Sequence, residues 1–131
     1  MMKKFVVSSL AILGSLSAKA DIISCSFTEP FITTEYSMTQ STLTIVSAGH
    51  DSADEKTIIK NVSFQIKSEG TFELVSKDGK VLQSLVLNHK GSDGMSDTIY
   101  PYDVKDFNYN NDSFPLFGGC SSNHLKAKSV E

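Results

Sequence analysis

Along most of the chain, apolar and polar side chains alternate one for one. In Ile32–Met38, Ile32, Thr34, Tyr36 and Met38 fall on one side, and Thr33, Glu35 and Ser37 fall on the other. This period of two marks a half-buried β-strand, because successive strand side chains point to opposite faces. The same pattern sets Ile23, Cys25 and Phe27 together, then Leu43 with Ile45, then Val62, Phe64 and Ile66, then Phe72 with Leu74. Beyond residue 20, no run of ten or more residues reads as an amphipathic helix.

The punctuation agrees with strands. Asp78-Gly79 suits the positive φ angles of a tight hairpin between Thr71–Ser76 and Val81–Leu87. Gly70 closes the strand before it. Residues 47–55 form a polar loop, and the final Lys-Ser-Val-Glu has little to hold it in place. Short strands with frequent turns predict an all-β fold, a small antiparallel β-barrel or sandwich of about seven or eight strands.

Residues 1–20 stand apart from this pattern. Lys3 and Lys4 precede an apolar run from Phe5 to Leu16, and Ala18 and Ala20 supply small residues at a cleavage site. That is the layout of a signal peptide. The apolar run is shorter than the ~20 residues that span a bilayer. Cleavage after Ala20 is expected to leave residues 21–131 as a single β domain with a flexible C-terminal tail, periplasmic or secreted and not inserted in a membrane. Losing Lys3, Lys4 and Lys19 takes the formal charge from −3 to near −6, with no arginine anywhere. Nucleic-acid phosphates are held by basic patches, so nucleic acid is not expected as a partner.

Two cysteines occur, Cys25 and Cys120, one near each end of the mature chain. In an oxidising compartment they are expected to bond. Two free thiols or a metal pair are the alternatives.

Chemistry-bearing motifs are sparse. His50, His89 and His124 stand outside any recognisable catalytic motif, and no phosphate-cradling glycine loop is present. The expectation is a protein with no catalytic residues, no cofactor and no metal. The densest stretch is Gly91–Tyr102. Asp93 and Asp97, with Ser92 and Ser96, offer oxygens of the kind calcium takes. The same residues suit a self-bonded turn in which Gly94 takes a positive φ and Asp93 accepts backbone amides. In that reading Met95 plugs the loop into the core. Tyr100 before Pro101 is confined to extended geometry. Residues 29–31, Glu-Pro-Phe, read as a corner: Pro30 interrupts pairing and Phe31 folds back into the core, while Glu29 is either a corner residue or an acid facing a pocket.

Glu29-Pro30-Phe31, the run Asp93-Gly94-Met95-Ser96-Asp97 with Tyr100-Pro101, and Gly119-Cys120 together resemble a group of small exported bacterial proteins. That group shows a Glu-Pro-Phe corner, a Cys-x-Asp-Gly-Met-Ser-Asp-x-x-Tyr-Pro loop and a closing Gly-Cys. The resemblance implies an envelope-associated module and carries no established activity. Two positions depart from the group. Gly91 replaces the cysteine that leads the loop, which leaves Cys25 as the partner for Cys120. Ile32 replaces a tryptophan, so a ligand stacked on that ring in relatives would be bound poorly here.

Three functions remain open at this point. The first is a non-catalytic domain that binds something, a protein partner among the options. The second is an inhibitor of a wall-degrading enzyme, acting through the acidic loop at residues 49–55. The third is a hydrolase whose site assembles only in space, from Glu29, Asp93 and a histidine.

Overall fold

A computed structural model describes residues 22–28, 31–47, 55–109 and 115–129. The segment read as a signal peptide lies outside the described residues, as do Glu29, Pro30, His50 and the acidic loop around it. The described chain is all β, with no helix. Its strands are β1 (Ile22–Phe27), β2 (Ile32–Ser37), β3 (Thr42–Ser47), β4 (Glu55–Ile59), β5 (Ser63–Ser68), β6 (Thr71–Val75), β7 (Val81–Gly91), β8 (Thr98–Asp106), β9 (Leu116–Ser122) and β10 (Lys128–Ser129).

Alternation translates directly into burial. Ile23, Cys25 and Phe27 are buried while Ser24 is exposed, and Ile32, Thr34 and Tyr36 are buried while Thr33 and Glu35 are exposed. These inward side chains join Leu43, Leu74, Leu85 and Val104 in one core. Three strands escape the alternation, β5 among them, where Ile66 is 71% exposed. β4 carries Ile58 beside Ile59 and is exposed along most of its length, and β10 is only two residues long. The count therefore exceeds the seven or eight expected. Near the C-terminus, Lys128 and Ser129 pair with Ile99 and Thr98.

All strand pairs are antiparallel, in the order β4-β3-β2-β1-β9-β8-β7-β6-β5, with β10 added beside β8. The two edges, β4 and β5, are consecutive in the chain. They do not pair with each other, so the sheet is not closed into a barrel. The short link between them, Lys60–Val62, sends Val62 into the core instead of turning a hairpin. Val62 is tied there through both backbone groups: its N–H donates to the Ser41 carbonyl (2.8 Å), and its carbonyl accepts from Tyr36 Oη (2.7 Å). The sheet folds over on itself, so that Gln83 on β7 donates from Nε2 to Thr34 Oγ1 on β2 at 3.1 Å. This is the sandwich-like member of the two expected architectures.

Cys25 and Cys120 are disulfide-bonded, and they stand directly opposite each other on β1 and β9 with Cα atoms 4.0 Å apart. Such a distance belongs to the closely spaced kind of antiparallel pair. The bond ties the two ends of the domain at the middle of the sheet, away from its edges. The β6–β7 turn holds three residues, Lys77–Gly79, where a two-residue turn was expected. Ser76 N–H donates to the Lys80 carbonyl (2.8 Å), and Gly79 sits at φ 92°.

Candidate functional site

The loop between β7 and β8 is built around Asp93. Its Oδ1 accepts the backbone N–H groups of Met95 (2.9 Å) and Ser96 (2.8 Å). Its Oδ2 accepts Ser96 Oγ (2.6 Å) and Tyr100 Oη (3.1 Å). Hydrogen bonds to a carboxylate favour the charged form. Ser96 Oγ first, then the amides of Met95 and Ser96, hold the Asp93 pKa down at about 2. Burial pushes the Tyr100 phenol up, and the Asp93 carboxylate adds to that.

Two glycines make this packing possible. Gly94 stands at φ +95°, and a Cβ there would lie 2.7 Å from Thr28 Oγ1. That hydroxyl donates to the Asp93 carbonyl at 2.8 Å and fastens the loop to the end of β1. Gly119 on β9 leaves room for the Tyr100 ring, whose Cδ1 would meet a Cβ at 2.5 Å.

Met95 and Phe31 correct the expectations made for them. Neither enters the core; Met95 is 62% exposed and Phe31 53%. Tyr100, half-buried against Gly119, ties the loop to β8 through Asp93 instead. Phe27 and Ile32 already occupy the inward positions opposite each other on β1 and β2, so strand alternation turns Phe31 outward. Pro101 is buried on β8, and Asp97 stays exposed on the far flank of the loop. The loop to which Glu29 and Pro30 belong is described only at Thr28 and Phe31.

Phe31 and Met95 flank a cleft of about 400 Å³. Phe27, Ile32 and Val46 supply further apolar lining, and Ser26, Thr28 and Ser96 supply hydroxyls. A second groove of about 360 Å³ shares Ser26, Thr33 and Val46 with it and runs on to Glu35 and Lys56. Among the described residues lining the first cleft, Asp93 is the titratable group, and both its oxygens are engaged. Among the described residues, no group of three or more His, Cys, Asp or Glu is arranged to hold a metal ion.

A second polar cluster escaped the sequence reading. Gln83, Thr34 and Asp106 are buried inside the sheet, at 0%, 4% and 3% exposure. Gln83 Nε2 donates to Thr34 Oγ1 and, at 3.5 Å, to Asp106 Oδ1. Burial drives the Asp106 pKa up, against hydrogen bonds from Gln83 and from the amides of Tyr109 and Asn108. The signal was present: Gln83 shares the parity of Leu85, and Asp106 that of Val104, so both are polar residues on an inward row. Gln83 Oε1 faces Cys25 Sγ at 3.9 Å, a disulfide sulfur with no proton to give. His89 and His124 are exposed.

No protein family, curated protein or solved structure matches this chain.

Proposed function

We propose that this chain is an exported, non-catalytic β domain that binds a protein partner through the cleft between Phe31 and Met95. The observation that carries the reading is this pair of large apolar side chains, standing exposed on either side of a cleft with an apolar lining. A few polar groups around an apolar recess are the usual form of a recognition site. Aromatic and methionine side chains are enriched where proteins meet. The loop that presents Met95 is held by its own hydrogen bonds, so little ordering would be needed on binding.

The state of Asp93 supports binding over catalysis. A general acid or base works best with a pKa near the operating pH. A carboxylate held at about 2 with four donors around it is ill suited to move a proton at neutral pH. Export is supported by the N-terminal sequence pattern, and the Cys25–Cys120 bond is compatible with an oxidising compartment.

Selection of displayed random peptides against the disulfide-bonded protein tests the proposal. Enriched peptides should share an aromatic or aliphatic anchor and lose at least about tenfold in affinity, some 1.4 kcal/mol, against Phe31→Ser with Met95→Ser. Peptides indifferent to that pair of substitutions would remove the cleft from consideration.

A further inference from the structure

On the other flank of the loop, lysines from two distant parts of the chain converge, with His89 beside them. Lys126 and Lys128 arrive with the C-terminal segment, which the pairing of β10 with β8 sets opposite Ile99. His89 and Lys90 come from an irregularity in β7, where the register slips between Leu87 and Gly91. His89 sits there at φ 58°, a conformation that side chains other than glycine seldom adopt. The Lys90 N–H, donating to Asn88 Oδ1 at 2.9 Å, holds this bulge.

These groups line two adjoining clefts. One, of about 300 Å³, is bounded by His89, Lys126 and Lys128 around Ile99, Tyr100 and Pro101. The other, of about 660 Å³, shares His89 and Ile99 and adds Lys90, the hydroxyls of Ser92, Ser96 and Thr98, and one acid, Asp97. Among the described residues the ion pair within 4.0 Å is Lys67–Glu73, so Lys90, Lys126 and Lys128 make no such pair with a described carboxylate. In a chain whose net charge is negative, this is a local concentration of positive charge. The apolar floor beneath it excludes water from one side, which strengthens attraction to an anion.

We propose that this pair of clefts binds a phosphate-bearing ligand. Lysine ammonium groups act as point charges with freely turning donors, which suits the tetrahedral oxygens of phosphate. The chain has no arginine, and lysine binds phosphate as a point charge without needing the guanidinium fork. The hydroxyls of Ser92 and Thr98 supply uncharged donors to the remaining oxygens, while the Ser96 proton is held by Asp93. The floor of Ile99, Tyr100 and Pro101 receives whatever apolar body carries the phosphate, a soluble ester or a lipid headgroup. The site does not depend on the Phe31–Met95 cleft.

The test uses the disulfide-bonded protein labelled with nitrogen-15 and titrated at low salt with inorganic pyrophosphate, and with citrate as a carboxylate of comparable charge. A parallel arm measures co-sedimentation with phosphatidylglycerol vesicles against phosphatidylcholine vesicles. Amide shifts should cluster at residues 89–92 and 126–128. Affinity should fall at least about tenfold in Lys126→Gln with Lys128→Gln, and separately in His89→Gln with Lys90→Gln, which leaves β10 untouched. Pyrophosphate binding that meets these conditions identifies a soluble phosphate as sufficient; binding to phosphatidylglycerol vesicles alone identifies a headgroup. Citrate binding as tightly as pyrophosphate, shifts elsewhere, affinity unchanged in both variants, or no binding to either phosphate probe would each overturn the proposal.

Discussion

Asp93 and Asp106 lie on either side of β8, one just before it and one at its end, and their surroundings treat the same side chain in opposite ways. Asp93 stands near the surface and collects four donors, so its charge is favoured and its pKa falls to about 2 from the ordinary 3.8. Asp106 is buried beside Gln83, and the loss of water outweighs its hydrogen bonds, so its pKa rises. The number of donors alone does not separate the two. What separates them is whether those donors replace hydration that was lost. A surface loop keeps its water and adds bonds, whereas the interior must substitute for the water first.

The largest expected effect falls on the buried side. Cys25→Ser with Cys120→Ser should lower the unfolding free energy by ~4–5 kcal/mol, the chain-entropy figure for a closed loop of this length. Urea unfolding of the pair against the oxidised protein measures it. A loss under ~1 kcal/mol would mean that the hydrogen-bonded β1–β9 ladder needs no covalent tie. Next comes the loop. Gly94→Ala must place a side chain at φ +95° and within 2.7 Å of Thr28 Oγ1, and should cost ~1 kcal/mol or more. An unchanged unfolding midpoint would show that the loop is looser than its hydrogen bonds imply.

The remaining two predictions concern the acids themselves and run in opposite directions with pH. The folded pKa of Asp93 is depressed, so its contribution is present above 3.8 and is lost as the pH falls towards about 2. Asp93→Asn should therefore destabilise at pH 7 and be nearly silent at pH 2. Because the carboxylate is largely solvated, the difference should be ~1 kcal/mol or less after screening. For Asp106 the folded pKa is raised, so its contribution is present below 3.8 and is lost as the pH rises through the raised value. Asp106→Asn should raise the melting temperature slightly at pH 7 and leave it unchanged at pH 3. The new amide would also give Gln83 a donor for Oε1, once the Gln83 side chain turns over. Thermal melts of both variants across that pH range decide the matter, and parallel curves for the two would erase the contrast.

Much of the fold was legible along the chain. A residue's side of a strand depends only on its parity, so the rows through Ile23–Phe27 and Ile32–Tyr36 could be read without knowing any neighbour. The two cysteines offered a single pairing. The turn-forming residues of the β7–β8 loop were visible for a similar reason, because Asp93 bonds to groups two, three and seven positions away. Gln83 and Asp106 were legible in principle as polar residues on inward rows, yet nothing local announces that the two rows meet.

Parity says which face a residue takes, but not how far that face is covered. Phe31 and Met95 were both apolar and both assigned to the interior. Phe27 and Ile32 already held the inward positions, and the surplus apolar groups became the walls of a cleft. The order of strands was equally hidden. It set the ends of the chain side by side in the centre of the sheet and left β4 and β5 as edges. It also carried the last lysines across to β8, where they meet His89. Local sequence determined the strands, the turns and the covalent tie, because those depend on neighbours along the chain. Burial, charge convergence and surface shape depend on side chains that meet only when the sheet folds over, and those the tertiary structure alone decided.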